Sequence, residues 1–157
     1  MLILTLNIGK ERYGIEAGKV IEVIPWIELQ HVPRVDECIA GIFNYRGTPT
    51  AVIDICRYFE QQPCEHKLSS RIIIISTESL NGDKHIGLIA ESVTEVIKCQ
   101  QDQFTDTGID AENARFLGKV YQHNKQLIQI IKTDQLIPES VARQLALVKH
   151  ASSDARL

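Results

Sequence analysis

Residues 39–59 read Ile-Ala-Gly-Ile-Phe-Asn-Tyr-Arg-Gly-Thr-Pro-Thr-Ala-Val-Ile-Asp-Ile-Cys-Arg-Tyr-Phe and contain two apolar runs on either side of a turn. The first run is broken by Gly41, and the residues from Asn44 to Thr50 are rich in turn formers. The second run is interrupted only by Asp54, a pattern typical of a strand buried on both faces. The segment therefore predicts two strands joined by a turn that carries one cation, Arg46.

The composition is that of an ordinary globular protein. The chain has 157 residues, of which 44% are hydrophobic and 24% charged, so it is long enough for one domain or two small subdomains. Aromatic residues make up only 6%, and runs such as 71–76 are rich in isoleucine, which favours strands. A formal net charge of -3 gives no basic surface of the kind that nucleic-acid binding needs.

Location and cysteine chemistry follow from simple patterns. The apolar start is too short for a signal peptide, and no window approaches the roughly 18 apolar residues of a membrane span, so a cytoplasmic location is expected. Four cysteines without repeated spacing predict free thiols in a reducing compartment; they are Cys38, Cys56, Cys64 and Cys99.

Two segments of the chain are similar to each other. Residues 14–24 align without gaps with residues 87–97, at an offset of 73, and six positions are identical. Each copy is preceded by a strand and a turn and followed by a polar stretch and a glycine-containing hairpin, which predicts two similar all-β halves of about 70 residues. Short strands at this spacing are typical of small barrels.

Local signals complete the prediction. The polar segment 60–70 is interpreted as the linker between the halves, and Asn81-Gly82 as a hairpin turn. Residues 116–121 and 126–131 predict another hairpin, and 138–149 have helical spacing that predicts a helix packed on the chain's own barrel. We place the subdomains at 1–66 and 67–137, with the C-terminal helix and tail at 138–157.

Several of these motifs, in this order, resemble the CheW family of bacterial chemotaxis coupling proteins. The resemblance extends from about Leu4 to Ile137. It is carried by the segments 13–15, 20–23, 39–47, 51–55, 86–88 and 93–96. The usual Asn-Leu-Arg-Gly of the family is Asn44-Tyr45-Arg46-Gly47 in this chain.

The resemblance implies a fold and a function. The fold would be all-β, with two SH3-like five-stranded β-barrel subdomains packed on a shared core, short helical turns and a C-terminal helix. The function would be that of a non-enzymatic adaptor, without cofactor or metal, which couples the cytoplasmic tip of a methyl-accepting chemoreceptor to the regulatory domain of a CheA-type histidine kinase. It implies neither nucleic-acid binding nor direct membrane insertion.

The resemblance also suggests the contact residues. For the receptor these are Arg46, Glu22, Val20 and Asn44, and we expect Glu22 and Arg46 to lie close together on the surface. For the kinase they are Val35, Ile39 and Ile42. Residues 39 and 42 are exposed in this interpretation, although a short apolar run fits the core equally well.

An alternative is a small all-β enzyme or a ligand- or metal-binding barrel that uses Cys64, His66 or Asp54. Asp54 fits better as a residue that caps the following helical turn, because no base or nucleophile motif accompanies it. Cys64, His66 and Cys56 supply three potential zinc ligands in a polar loop, whereas structural zinc sites have four in paired spacing.

Overall fold

The computed structural model describes residues 1–77, 84–109, 114–137 and 140–144. In these ranges the chain is mostly β-structure, with 3₁₀ turns at Ala17–Lys19, Gln101–Gln103 and Thr133–Gln135. The strands and the short helix are β1 (Leu2–Ile8), β2 (Glu11–Glu16), β3 (Val20–Pro25), β4 (Ile39–Tyr45), β5 (Thr48–Asp54), α1 (Ile55–Glu60), β6 (Arg71–Thr77), β7 (Lys84–Ala90), β8 (Ser92–Lys98), β9 (Phe104–Thr105), β10 (Leu117–His123) and β11 (Gln126–Ile131).

The strands form two sheets with the same internal order. One sheet runs β8-β1-β2-β11-β10-β9 and the other β3-β6-β7-β5-β4. The two orders are equivalent when each strand of the first half is matched with one strand of the second half: β1 with β6, β2 with β7, β3 with β8, β4 with β10 and β5 with β11. The two-residue β9 has no counterpart in this matching. Each sheet has one parallel pair at the equivalent place, β2 with β11 and β7 with β5. The predicted duplication is therefore confirmed, and the two sheets are two SH3-like subdomains.

The two halves of the chain exchange two strands each: β1 and β2 lie in the sheet of β8 to β11, and β6 and β7 lie in the sheet of β3 to β5. β3 pairs with β6, and β8 pairs with β1. Residues 20–90 consequently supply all of the five-stranded sheet, while the six-stranded sheet combines β1 and β2 with β8 to β11. The division predicted at residues 66 and 67 does not separate the two sheets, because hydrogen bonds between strands cross it in both of them.

A shared apolar core joins the sheets. It includes Leu4, Leu6 and Ile8 of β1 and the isoleucines at positions 72–75 of β6. Ile3 points instead into a smaller cluster with Ile97, Cys99, Tyr121 and Ile128 inside the six-stranded sheet. Successive side chains of a strand face opposite sides, so β1 is buried on both faces and contributes to both clusters.

Asp54 ends β5 and begins α1. Its Oδ1 accepts the backbone N–H of Arg57 at 3.0 Å, which confirms the predicted helix cap. Both carboxylate oxygens also accept the N–H of Cys64, at 3.2 and 3.0 Å. The buried carboxylate therefore fixes the start of α1 and the segment that follows the helix.

We expect Asp54→Asn to lower the free energy of unfolding by about 1–2 kcal/mol. Asparagine retains an oxygen for the Arg57 N–H, but its amide opposes the buried N–H of Cys64 and the charge-assisted bond is lost. Chemical denaturation measures the change. Asp134→Asn is the matched control, because that carboxylate is half-exposed in a 3.7 Å pair with Lys19; equal stability of the two variants would contradict this role of Asp54.

Other predicted elements have mixed outcomes. The predicted hairpin near residues 116–131 is confirmed as the antiparallel pair β10–β11. The Asn81-Gly82 turn lies outside the described residues, although the flanking strands β6 and β7 pair antiparallel. Of the predicted C-terminal helix, residues 140–144 are helical, and Val141 is buried in the shared core. The remainder of that helix and the tail lie outside the described ranges.

Candidate partner-binding site

Glu22 and Arg46 lie together, as the sequence analysis predicted. The Arg46 Nη2 donates to Glu22 Oε2 at 2.9 Å. The Arg46 side chain is 71% exposed and that of Glu22 is 36% exposed. A pair this open to water contributes roughly 0.2–1 kcal/mol to stability, so its value lies in holding the guanidinium at a fixed place.

The turn between β4 and β5 determines where Arg46 points. Arg46 and Gly47 both have positive φ, 50° and 86°, as in a tight turn of the type that suits a two-residue hairpin. Asn44 Oδ1 accepts the Gly47 N–H at 2.7 Å. Asn44, predicted as a receptor contact, therefore also shapes the turn that presents Arg46.

Tyr45 is a member of this cluster that the sequence analysis did not assign. Its hydroxyl donates to the same Glu22 Oε2 at 2.5 Å, and its ring lies 5.2 Å from the Arg46 Cζ. The hydrogen bond to Glu22, together with burial, raises the pKa of Tyr45 above 10.0, so the hydroxyl remains a donor at neutral pH. The sequence does contain a signal for the contact of Tyr45 with Glu22, because position 45 has tyrosine where the Asn-Leu-Arg-Gly motif has leucine.

The cluster joins two edges of one sheet. β3 and β4 are the first and last strands of the five-stranded sheet, so the contact of Glu22 with Tyr45 and Arg46 shows that the sheet curls toward closure. Val20, the fourth predicted receptor residue, is half-buried on β3 and packs against the shared core. Ile21 and Val23 alternate with Glu22, so they face the opposite side of β3, and they are 44% and 38% exposed. We call Glu22, Tyr45 and Arg46 the Glu22–Arg46 surface.

The duplicated half carries a related but different pair. Glu95, equivalent to Glu22, accepts from Arg12 Nη2 at 2.5 Å, and that arginine comes from β2 rather than from the hairpin turn. The equivalent turn of the six-stranded sheet is Asn124-Lys125, again with positive φ at both residues. The two sheets thus share a backbone plan, but the arginine bonded to the acid comes from the hairpin turn in one sheet and from β2 in the other.

The predicted kinase contacts divide by burial. Ile39 is only 5% exposed and belongs to the shared core, so the expectation that it is exposed is wrong. Val35 and Ile42 are half-buried and pack on that core. The backbone N–H and C=O of Ile42 both bond to Gln30, at 2.9 and 2.8 Å, so the outer edge of β4 is already covered at that residue.

The cysteine prediction is wrong for two of the four residues. Cys56 and Cys64 form a disulfide, whereas Cys38 and Cys99 are free and buried. The turn that ends α1 brings the Cα atoms of residues 56 and 64 within 5.1 Å, a proximity that a spacing of eight does not reveal. Burial, followed by the hydrogen bond to Asp36, raises the pKa of Cys38 to about 12, so this thiol stays protonated at neutral pH.

The residues of the alternative enzymatic or metal-binding interpretation all have other contacts within the protein. Ligand atoms of Asp54, Cys56 and Cys64 lie within 4.8 Å of one another, which is the spacing of a metal site. However, the two sulfurs are bonded to each other, and both oxygens of Asp54 accept backbone N–H groups. The His66 ring stacks on Trp26 with centroids 4.4 Å apart. This donor set does not fit a metal ion.

Two SH3-like subdomains built on one duplicated plan, with an exposed acid–arginine pair on one of them, define the class of this chain as a duplicated β-sheet protein. This chain belongs to the CheW-like domain family, whose model matches residues 2–141.

Relatives and a solved structure agree with this assignment. The chemotaxis protein CheW of Bacillus subtilis (strain 168) is 26% identical over 139 residues, covering 87% of this chain and 85% of that protein. Chemotaxis protein CheW of Helicobacter pylori is 24% identical, with coverage of 83% and 77%. The crystal structure of the scaffolding protein TtCheW from Thermoanaerobacter tengcongensis superposes with a TM-score of 0.77 at 28% identity, covering 89% of each chain.

In the part of the chain that the structure describes, no helix combines the length and the apolar character needed to span a membrane.

Proposed function

We propose that this chain is a non-enzymatic chemotaxis adaptor, which couples the cytoplasmic tip of a methyl-accepting chemoreceptor to the regulatory domain of a CheA-type histidine kinase. Membership of the CheW-like family and the likeness to a scaffolding protein support the adaptor role. The Glu22–Arg46 surface is the single observation that carries the receptor-binding part of the proposal. The adaptor would act in the cytoplasm and join receptor arrays by association.

The chemistry of the Glu22–Arg46 surface suits a helical receptor tip. Arg46 offers a fixed, exposed guanidinium, which can bind a carboxylate or a backbone carbonyl at a helix end. Ile21 and Val23 are exposed on the opposite face of the same strand, so they lie outside this contact. A fixed charge gives orientation as well as affinity, and it speeds encounter with an oppositely charged partner.

The kinase contact is proposed for β4 and the loop before it. Val35 and Ile42 keep part of their apolar surface accessible, while buried Ile39 anchors the strand from behind. Salt bridges such as Arg57 Nη1 to Glu37 Oε2, at 3.1 Å, tie this loop to α1. Transient signalling contacts are often small, so micromolar affinity, about −8 kcal/mol, is expected.

Binding of a CheA-type regulatory domain tests the proposal, with affinity measured by titration calorimetry. Ile42→Lys is expected to raise Kd about tenfold or more, because the ammonium adds a charge at an apolar contact. Leu127→Lys is the matched control, since Leu127 is an exposed leucine on the other sheet. Failure of the unmodified chain to bind any CheA-type regulatory domain would contradict the adaptor function; equal affinities of both variants would contradict only the β4 contact.

A further inference from the structure

The Cys56–Cys64 disulfide joins a helix to a loop rather than two strands. Cys56 lies on α1, and Cys64 lies in the irregular segment 61–70 that leads to β6. Both residues are buried. The helix ends at Glu60, and the next residue, Gln61, adopts a left-handed conformation and turns the chain back toward Cys56. The bond therefore fixes a loop that no strand pairing holds.

The surroundings of Cys64 suit the thiol as well as the disulfide. Its Sγ lies 3.4 Å from the backbone oxygen of Ile89. A disulfide sulfur has no proton to donate, whereas a thiol donates a weak hydrogen bond to such an oxygen. The N–H of Cys64 bonds to Asp54 in a manner that does not depend on the sulfur. Reduction consequently leaves no buried polar group of Cys64 without a partner.

The loop can open without disrupting either sheet. Most of the residues in 61–70 are exposed, and the segment is held by side-chain hydrogen bonds and by a backbone bond, from the Val93 N–H to the Ser69 carbonyl at 3.4 Å. Ser70 Oγ donates to Glu65 O at 2.8 Å, and Ser69 Oγ donates to Glu91 O at 3.1 Å. Segments with few buried contacts and exposed hydrogen bonds open at low free-energy cost. Opening that also breaks the buried bond from the Cys64 N–H to Asp54 brings Cys64 to solvent, where it can react.

The position of the loop is coupled to the only tryptophan of the chain. His66, two residues after Cys64, stacks on Trp26 with an interplanar angle of 19°. Trp26 follows β3, the strand that carries Glu22. A change in the loop at Cys64 therefore reaches the indole and the end of β3 through one ring contact.

We propose that Cys56 and Cys64 are a reversible redox modification site, which reacts with low-molecular-weight disulfides and sets whether loop 61–70 is locked on α1. The Cys64 thiolate attacks one sulfur of the small disulfide and releases one small thiol, leaving a mixed disulfide. The Cys56 thiolate then attacks the Cys64 sulfur and releases the second small thiol. The protein dithiol loses two electrons and two protons, and both appear in the two small thiols.

A disulfide in the cytoplasm is expected to be reversible, because thiols there are kept reduced and such bonds are more often redox-sensing than structural. Only this expectation rests on the proposed function. The chemistry of the pair and the release of the loop can be measured on the purified chain without receptor or kinase, so a failure of the adaptor function leaves the redox site testable.

The test equilibrates the full chain in buffers of reduced and oxidised glutathione, and follows thiols by alkylation and mass spectrometry. Trp26 emission and proteolysis of loop 61–70 are recorded on the same samples. Reduction is expected to liberate two thiols, to change Trp26 emission together with them, and to speed cleavage in the loop. The closed loop is short, so the unfolding equilibrium constant should rise roughly 50- to 100-fold on reduction.

Variants separate this pair from the other cysteines. Cys38→Ser/Cys99→Ser should keep the full response, whereas Cys56→Ser/Cys64→Ser should lose it; His66→Ala should lose the change in emission but keep the two-thiol change. Should the serine variants fail to fold, the titration of the unmodified chain decides alone. A chain whose Cys56 and Cys64 never form the disulfide in oxidised glutathione, or whose emission and loop cleavage are the same in both states, overturns the proposal.

Discussion

Arg46→Ala is expected to abolish receptor-dependent stimulation of the kinase while leaving the melting temperature within about 4 °C of the unmodified chain. The side chain is largely exposed, so its bond to Glu22 adds roughly 0.2–1 kcal/mol to stability. In a receptor interface the same guanidinium is a candidate hot spot, and truncating such an arginine costs roughly 2 kcal/mol or more, about thirtyfold in affinity. Kinase autophosphorylation with receptor, kinase and adaptor measures the first effect, and circular dichroism measures the second.

The duplication supplies a matched control for Arg46. Lys125 is the exposed cation of the equivalent turn in the six-stranded sheet, and it also has positive φ. Lys125→Ala should retain kinase stimulation. If Arg46→Ala also stimulates normally, Arg46 does not contact the receptor; if both variants lose stimulation alike, the effect is one of general charge and not of the Glu22–Arg46 surface.

Gly87→Val is expected to destabilise the fold by about 3 kcal/mol, the upper end of the cost of overpacking a core. A Cβ at Gly87, in the middle of β7, would lie 2.9 Å from Ile72 Cγ2 and 3.1 Å from Val52 Cγ2. Both methyl groups branch from the Cβ of buried side chains on the neighbouring strands, so they move only if a stiff χ1 angle or the backbone changes. At about 2–4 °C per kcal/mol, the melting temperature should fall by roughly 10 °C.

The duplicated position should behave in the same way. A Cβ at Gly14 on β2 would overlap Ile3 Cγ2 and lie 3.2 Å from Ile128 Cγ2. Gly18→Val is the control, because Gly18 is exposed and a Cβ there meets no atom within 4 Å; we expect a change within about 0.5 kcal/mol. If Gly87→Val has the same melting temperature as Gly18→Val, the core accommodates the added side chain at position 87, and the packing argument is contradicted.

Local chemistry made several features predictable. The turn at 44–47, the cap at Asp54 and the hairpin β10–β11 depend on residues close together in sequence, and all three are confirmed. The duplication was readable because two copies of one plan repeat the same order of apolar and polar residues, and the sheet orders confirm it. The proximity of Glu22 and Arg46 came from the family resemblance rather than from the residues alone.

Other features required the folded chain. Ile39 belongs to a short apolar run, and such a run does not reveal which side faces the core. The bond from Tyr45 to Glu22 joins residues 23 apart, and the disulfide depends on the way α1 ends. Neither pairing leaves a periodic signal in the sequence.

The sequence by itself determined that the chain is a duplicated all-β protein with a cationic turn after its fourth strand, because alternation and turn chemistry act over a few neighbouring residues. Only the tertiary structure decided that the halves exchange β1 and β2 for β6 and β7, that Tyr45 holds Glu22, and that Cys56 bonds to Cys64. A strand buried on both faces, such as residues 72–75, accepts many neighbours equally well, and the packing of the whole chain selects among them.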